Sequence, residues 1–350
     1  MNSVIRVMVT GAGALLGQGI LRCLQPNREE YYIVTADPDY RSAGHWLGDK
    51  AVIIPMAKST DYLPKLEELL LHEKIDILLI GTDVELPILS QNQHHLEKKY
   101  NVKIVVSGER VIEVANDKWL TAKFLKENDF PFPYSVMASN KEEVLQTFGD
   151  DSYPLFSKPI DGARSKGIRT ILNRVELNEV LEQPSNLVIQ EFLPEQDGEF
   201  TAGCLVLNGV CKAIVVLKRD LRDGNTYRAY SYTDKTFDHF LSSVAVKLGV
   251  EGPVNFQFRL RKKEPVIFEI NARFSGTTPL RMMFGFNEVK ATIDFYKRKL
   301  DTLSYQIQEG VILRTWSDIL ISKNDFDDFK ASGGMIDPQS HEFSFKIRNV

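Results

Sequence analysis

Cysteine is scarce in this chain: three residues in 350, Cys23, Cys204 and Cys211, with no CxxC pair and no histidine at ligand spacing. That excludes a disulfide framework and a cysteine-built zinc site, and it fits a reducing compartment. Long blocks of one charge sign are also missing. The 43 basic and 47 acidic side chains leave a formal net charge of −4, so no basic stripe is available for a polyanion and nucleic acid is not an expected partner. No apolar run approaches the ~20 residues that a membrane span needs. The opening MNSVIRVMVTGAGALLG lacks the basic and apolar blocks of a signal peptide. These absences lead us to expect a soluble, cytoplasmic protein with no membrane partner. Internal repeats, low-complexity segments and Ser-His-Asp or Cys-His arrangements are absent as well.

What is present is ordinary globular composition, 43% hydrophobic and 26% charged, at a length that suggests two or three domains. The first third alternates apolar strands (IRVMVT, YIVTAD, AVIIP, IDILLIGT, KIVVS) with amphipathic helices, one of them Ala14 to Leu24. Such alternation predicts an α/β, doubly wound parallel sheet whose functional edge lies at the strand C-termini. From ERVIEVANDKWLTAKFLKENDF, read as helical, the character changes to a small α+β unit: PLFSKP, the basic glycine-bearing turn DGARSKG, IRTIL, ELNEVLE and LVIQEFL.

Asn208-Gly209 signals a two-residue hairpin turn within residues 199 to 219. Pairing outward from it places Cys204 opposite Ala213 and Cys211 opposite Val206, which predicts no disulfide. PVNFQFRL and PVIFEINA then flank the turn RKKE, and the last fifty residues read as a helix plus a small strand cap. His94 and His95, on a Gln-rich helix, are expected at the surface.

FEINARFSG poses the chemical question. In a strand, Glu269, Asn271 and Arg273 share one face while Phe268, Ile270 and Ala272 share the other. The polar row either faces water along an exposed sheet or converges on a ligand. In VNFQFRL the same alternation groups Asn255, Gln257 and Arg259. If the two strands run antiparallel, Gln257 lies beside Glu269 and Asn271. One carboxylate and two amide oxygens are hard ligands suited to Mg²⁺ completed by water and phosphate oxygens. Arg273 would then stand where it neutralises a phosphoryl group in flight. Lys118, Lys158 and the loop 161–167 supply phosphate-compensating charge and backbone N–H groups. VIQEFL can present hydrogen-bonding groups to a purine edge, and Glu199 can accept from a ribose.

Taken in order, NDKWLTAKFLKENDFPFP, PLFSKPIDGARSKGI, VIQEFLPEQDGEFT, VNFQF and VIFEINARFSG, after the N-terminal α/β domain, resemble the ATP-grasp superfamily, in its carbamoyl-phosphate-synthase-like branch, over about residues 4 to 300. The resemblance implies an N-terminal pre-ATP-grasp domain at 1–112, a lid subdomain at 113–190, a C-terminal subdomain with the metal site at 191–300 and a cap at 301–350. It implies ATP and Mg²⁺, with Mn²⁺ as a permitted alternative. Lys118, Lys158, Gly162, Ser165 and Gly167 resemble phosphate-binding positions. Gln190, Glu191, Phe192 and Leu193 resemble an adenine hinge, and Glu199 a ribose acceptor. Gln257, Glu269 and Asn271 resemble metal ligands, and Arg273 and Lys158 catalytic positions. Arg164, Ser165 and Lys166 depart from the family's more glycine-rich loop.

The activity so implied is ligation: ATP converts a carboxylate to an acyl phosphate, an amine displaces phosphate, and ADP and phosphate are released. A phosphotransferase that stops at phosphoryl transfer and a non-catalytic nucleotide-binding regulator are the alternatives. The partners implied are small-molecule carboxylates and amines, with a homodimer allowed. Gly11, Asp83, Glu85, Arg219, Ser275 and Gly276 are the candidate substrate contacts. Asp83 and Glu85 read either as a capping pair or as groups facing the amine. Gly11, Gly13 and Gly17 followed by Asp37 mimic a dinucleotide fingerprint, but the resemblance implies a domain of this kind that holds no dinucleotide.

Overall fold

The computed structural model describes residues 4–161, 167–182, 186–196, 198–233, 235–315, 317–332 and 334–336. The first third forms β1 (Ile5–Thr10), α1 (Leu15–Leu24), β2 (Tyr31–Asp37), β3 (Lys50–Ile53), α2 (Tyr62–His72), β4 (Ile77–Leu79), α3 (Leu86–Tyr100) and β5 (Lys103–Val105). All adjacent pairs among these strands are parallel, in the order β3-β2-β1-β4-β5. This is the expected doubly wound arrangement. The chain order reverses between β1 and β4, so the TGAGALLG and GTDVELP loops meet at the topological switch point. Close approach there requires glycine: a Cβ on Gly17 would lie 2.1 Å from Gly11 O, and one on Gly81 would lie 2.3 Å from Thr10 O.

The next elements are α4 (Glu109–Asn116), α5 (Lys118–Glu127), β6 (Ser135–Met137), α6 (Lys141–Thr147), β7 (Leu155–Pro159), β8 (Arg169–Ile171), α7 (Arg174–Leu181) and β9 (Leu187–Glu191). The segment expected as one helix from Glu109 breaks at Asp117, which is extended and accepts from Leu120 N at 2.9 Å through its side chain. An N-cap in the middle of the apolar pattern starts a second helix, and Lys118 becomes its first residue. The four strands pair antiparallel as β6-β9-β7-β8. One face of this small sheet, with Val136, Leu155, Ile171 and Ile189, packs on Val144, Leu177 and Val180 of α6 and α7.

There follow β10 (Glu199–Leu207), β11 (Val210–Arg222), β12 (Asn225–Tyr232), α8 (Thr236–Leu248), β13 (Gly252–Arg261), β14 (Glu264–Asn271), α9 (Thr278–Met283), α10 (Glu288–Arg298), β15 (Val311–Leu313), α11 (Lys323–Ala331) and β16 (Met335–Ile336). An antiparallel sheet runs β14-β13-β10-β11-β12-β15, while β16 adds antiparallel to the β3 edge of the first sheet. The hairpin turn falls at Asn208-Gly209 as expected, but a bulge between Leu205 and Val206 shifts the register beyond it. Cys211 faces Val206 as expected, whereas Cys204 faces Ile214 and Ala213 faces Leu205. All three cysteines are free thiols.

Two compact units result, and neither is continuous in sequence: residues 1–106, 274–305 and 314–350 form one, and 107–273 with 306–313 form the other. Among the described residues, no helix is long and apolar enough to cross a membrane. His94 and His95 are exposed on α3.

Candidate nucleotide and metal site

The polar row forms within the second unit, where β13 and β14 are antiparallel with Gln257 opposite Glu269 and Asn255 opposite Asn271. Gln257 Nε2 and Asn271 Nδ2 both donate to Glu269 Oε1, at 3.0 and 2.9 Å. Two guanidiniums bracket the row: Arg273 donates to Asn271 Oδ1 at 2.8 Å, and Arg219 donates to Gln257 Oε1. The row is therefore a convergent hydrogen-bonded cluster and not a set of separately solvated groups. Strict alternation fails at one position. A bulge past Gln257 leaves Phe258 opposite Ile267, and the Phe268 ring lies against Lys158 (5.5 Å) and Arg259 (5.8 Å). The extra residue turns Phe268 onto the polar face, contrary to the expectation that grouped it with Ile270 and Ala272.

Lys158, buried on β7, donates to Gln190 Oε1 at 2.6 Å. Burial pushes its ammonium down to about 8, with the Glu269 carboxylate opposing the shift. Lys118 is also lowered by burial, against the charges of Glu269, Asp161 and Asp117. Both lysines thus feel the carboxylate expected to hold a metal. Gly167, at φ +75°, closes the described end of the glycine-bearing turn; Gly162, Ser165 and their neighbours at 162–166 lie outside the described residues.

In the hinge, Gln190 and Leu193 are buried. Glu191 is used structurally: its carboxylate accepts from Arg261 at 2.9 Å and from Tyr134 N at 3.0 Å. The Phe192 ring sits 5.0 Å from Phe156, centroid to centroid. Leu193 O accepts from Arg259 at 2.8 Å. Glu199 faces two arginines, with Arg219 at 2.6 Å on Oε1 and Arg259 at 2.7 Å on Oε2. A carboxylate offers about four lone-pair sites, so acceptor capacity remains for a ribose. Buried Arg219 Nε has no partner among the described residues, an orphaned donor that an anionic oxygen would satisfy.

The donor set fits Mg²⁺: one carboxylate and two amide oxygens are hard ligands too few to complete a shell, which suits an ion that keeps water and phosphate oxygens. Among the described residues no cluster of three His, Cys, Asp or Glu side chains exists, so a protein-only metal cage is not built here. Seating a cation would require the Gln257 and Asn271 oxygens to turn from their arginines.

The remaining candidates lie in the first unit. Gly11 takes φ +58° at the switch-point turn. Asp83 opens a tight turn over Asp83–Glu85, and Glu85, at the N-cap position of α3, makes no side-chain cap hydrogen bond. Glu85 points inward, accepting from Thr10 Oγ1 at 2.6 Å and Tyr62 OH at 2.8 Å. Burial raises its carboxyl to about 7.

Asp37, the acid of the dinucleotide-like pattern, accepts from Gly13 N and Ser42 Oγ at 2.8 Å each. It braces its own glycine turn. Ser275 Oγ and Thr277 Oγ1 are 2.8 Å apart and both accept from fully buried Arg281, which pairs with Glu288 at 2.6 Å. Gly276 O accepts from Arg314.

Sequence reasoning missed Arg261 and Ser135, and left Arg259 as one more polar position on its strand. The alternation of VNFQFRLR carried a signal for Arg259. Nothing local marked Ser135, whose partner Gln190 lies 55 positions away.

Known proteins share this fold. A family model described as "ATP-grasp domain" matches residues 115–277. The chain is 24% identical over 301 residues to the carbamoyl phosphate synthase large chain, C-terminal section, of Aquifex aeolicus, covering 78% of this chain and 54% of that one. It spans only 18% to 54% of the length of such curated relatives. Among solved structures, N5-carboxyaminoimidazole synthetase from Staphylococcus aureus complexed with ADP superposes with a TM-score of 0.69 at 16% identity, covering 94% of this chain and 87% of that one. The biotin carboxylase domain dimer of Hydrogenobacter thermophilus 2-oxoglutarate carboxylase, in complex with MgADP, ADP and bicarbonate, gives 0.65 at 18% identity, covering 87% and 73%. Residues 115–277 thus match the ATP-grasp domain, and over most of its length the chain is similar to carbamoyl phosphate synthase large chains in sequence and to an N5-carboxyaminoimidazole synthetase in fold.

Proposed function

We propose that the protein is an ATP- and Mg²⁺-dependent ligase that activates a carboxylate as an acyl phosphate and joins it to an amine. The observation that carries this reading is the convergence of Gln257, Glu269 and Asn271 between Arg219 and Arg273. Glu269 also lowers the cost of charge on Lys118 and Lys158.

Glu269, Gln257 and Asn271 would hold Mg²⁺, or Mn²⁺ as a substitute, and the bound ion would supply charge neutralisation at the nucleotide phosphates. Lys118 and Lys158 hold the phosphate chain, with Gly162, Ser165 and Gly167 as loop contacts. Gln190 to Leu193 accept the base, and Glu199 the ribose. The substrate carboxylate oxygen attacks the γ-phosphorus and the bond to the β-phosphate oxygen breaks, releasing ADP. Arg273 and the unpartnered Arg219 Nε neutralise the transferring phosphoryl group. The amine nitrogen then attacks the acyl carbon, phosphate leaves, and the amine loses a proton. Positioning and charge neutralisation account for the rate, without a covalent enzyme intermediate.

Ser275 and Gly276 remain our candidate acceptor contacts. Glu85 is withdrawn from that role, because both its oxygens are engaged in the first unit's core. A cytoplasmic homodimer completes the proposal, and light scattering checks the assembly. The chemical test is incubation with Mg-ATP and pooled carboxylates and amines. Release of ADP with free phosphate supports ligation, phosphate retained on a product supports the phosphotransferase, and nucleotide binding with no substrate-dependent ADP supports the regulator.

A further inference from the structure

Gln190 sits on β9 in the middle of the small sheet, with Ser135 of β6 opposite on one side and Phe156 of β7 opposite on the other. Directly opposed residues share a face, so Ser135, Gln190, Phe156 and Lys158 line the face turned away from the sheet's own core. Three hydrogen bonds run along it. Ser135 Oγ donates to Pro133 O at 2.7 Å, Gln190 Nε2 donates to Ser135 Oγ at 2.9 Å, and Lys158 Nζ donates to Gln190 Oε1 at 2.6 Å.

The direction of this relay is forced at both ends. A backbone carbonyl can only accept, so the Ser135 hydroxyl commits its proton there and turns a lone pair toward Gln190. An ammonium can only donate, so Lys158 must meet the amide oxygen. The amide orientation, ordinarily a matter of assignment, is here fixed by its neighbours.

We propose that Ser135 is a positioning residue for base choice: together with the Pro133 carbonyl it holds the Gln190 amide so that an acceptor oxygen meets the 6-position of a purine, selecting a 6-amino over a 6-oxo base. This rests on the nucleotide reading above. Lys158 takes one lone pair of Gln190 Oε1, and the second accepts from an exocyclic amine. A 6-oxo purine would set two acceptors against each other at a side chain only 3% exposed, where an unmade hydrogen bond is costly.

Mg-ATP and Mg-ITP separate these cases, because inosine carries an oxo group where adenosine carries the amine. Titration calorimetry on the whole protein should show ATP bound at least about tenfold more tightly than ITP, the equivalent of one unmade hydrogen bond. Ser135→Ala should shrink that ratio about threefold or more while the ligand-free melting temperature holds, and Ser135→Thr should restore it. Gln190→Glu, with an acceptor at either end, should keep the preference, and Gln190→Met should erase it even if Ser135→Ala fails to fold. Equal binding of the two nucleotides by the unaltered protein, or an undiminished ratio in Ser135→Ala, would overturn the inference alone. If neither nucleotide binds, the nucleotide reading falls and takes the inference with it.

Discussion

Arg219 donates both to Glu199 Oε1, at 2.6 Å, and to Gln257 Oε1. One buried guanidinium on β11 therefore couples the proposed ribose acceptor on β10 to a proposed metal ligand on β13, the strand beyond it. Arg219→Ala leaves Glu199 with a single partner in a buried setting, and breaking such a pair costs roughly 3–5 kcal/mol. We expect a lowered denaturation midpoint together with weakened Mg-ATP binding. Unchanged nucleotide affinity in a folded Arg219→Ala protein would remove Arg219 from the site.

Glu269→Gln keeps the shape of the row and one oxygen to accept from the Gln257 and Asn271 amides but removes its only carboxylate. Turnover should fall by about two orders of magnitude or more, as for loss of a group acting on developing charge. Folding stability should change by only about 1 kcal/mol, in the range of surface and half-buried polar substitutions. A collapse of the fold on chemical denaturation would instead give Glu269 a structural role.

Lys158 supplies a pH signature. Burial holds its ammonium down to about 8, so the free site loses its charge as pH rises through that value and phosphate binding must then bring a proton in. Mg-ATP affinity should weaken several-fold between about pH 7.5 and about pH 9, with proton uptake detectable as a buffer-dependent binding enthalpy. A flat affinity profile would place Lys158 away from the phosphates.

Glu85 acts on stability. Burial raises its carboxyl from the ordinary 4.5 to about 7 in the folded state, so the folded protein holds the proton more tightly than the unfolded chain. The stabilisation is complete below about 4.5 and is lost as pH rises through about 7. The Glu85 contribution should therefore decline across that window by an amount on the order of a few kcal/mol. Glu85→Gln should flatten this part of the stability profile, as read by urea midpoints at several pH values.

Much of this site was legible because alternation is a short-range property. Gln257, Glu269 and Asn271 come together since each strand carries its polar residues at every second position, with the bulge past Gln257 bringing it opposite Glu269. Phe268 was not legible, because one extra residue in the ladder rotates a side chain without altering the composition. The break at Asp117 was hidden for a related reason: the apolar period continues across it while the backbone does not. The Cys204 pairing failed through a bulge two positions away.

The sequence by itself determined the parallel first sheet, the polar row of β13 and β14 and the family resemblance, since these rest on periodicity, turn residues and ordered local motifs. Tertiary structure alone decided that Arg219 and Arg259 both claim Glu199, that Ser135 orients Gln190, that Glu85 turns inward to Thr10 and Tyr62, and that residues 274–305 rejoin the first unit. Those side-chain relationships link residues from 20 to 75 positions apart. Their geometry comes from strand order and packing, which no local pattern encodes.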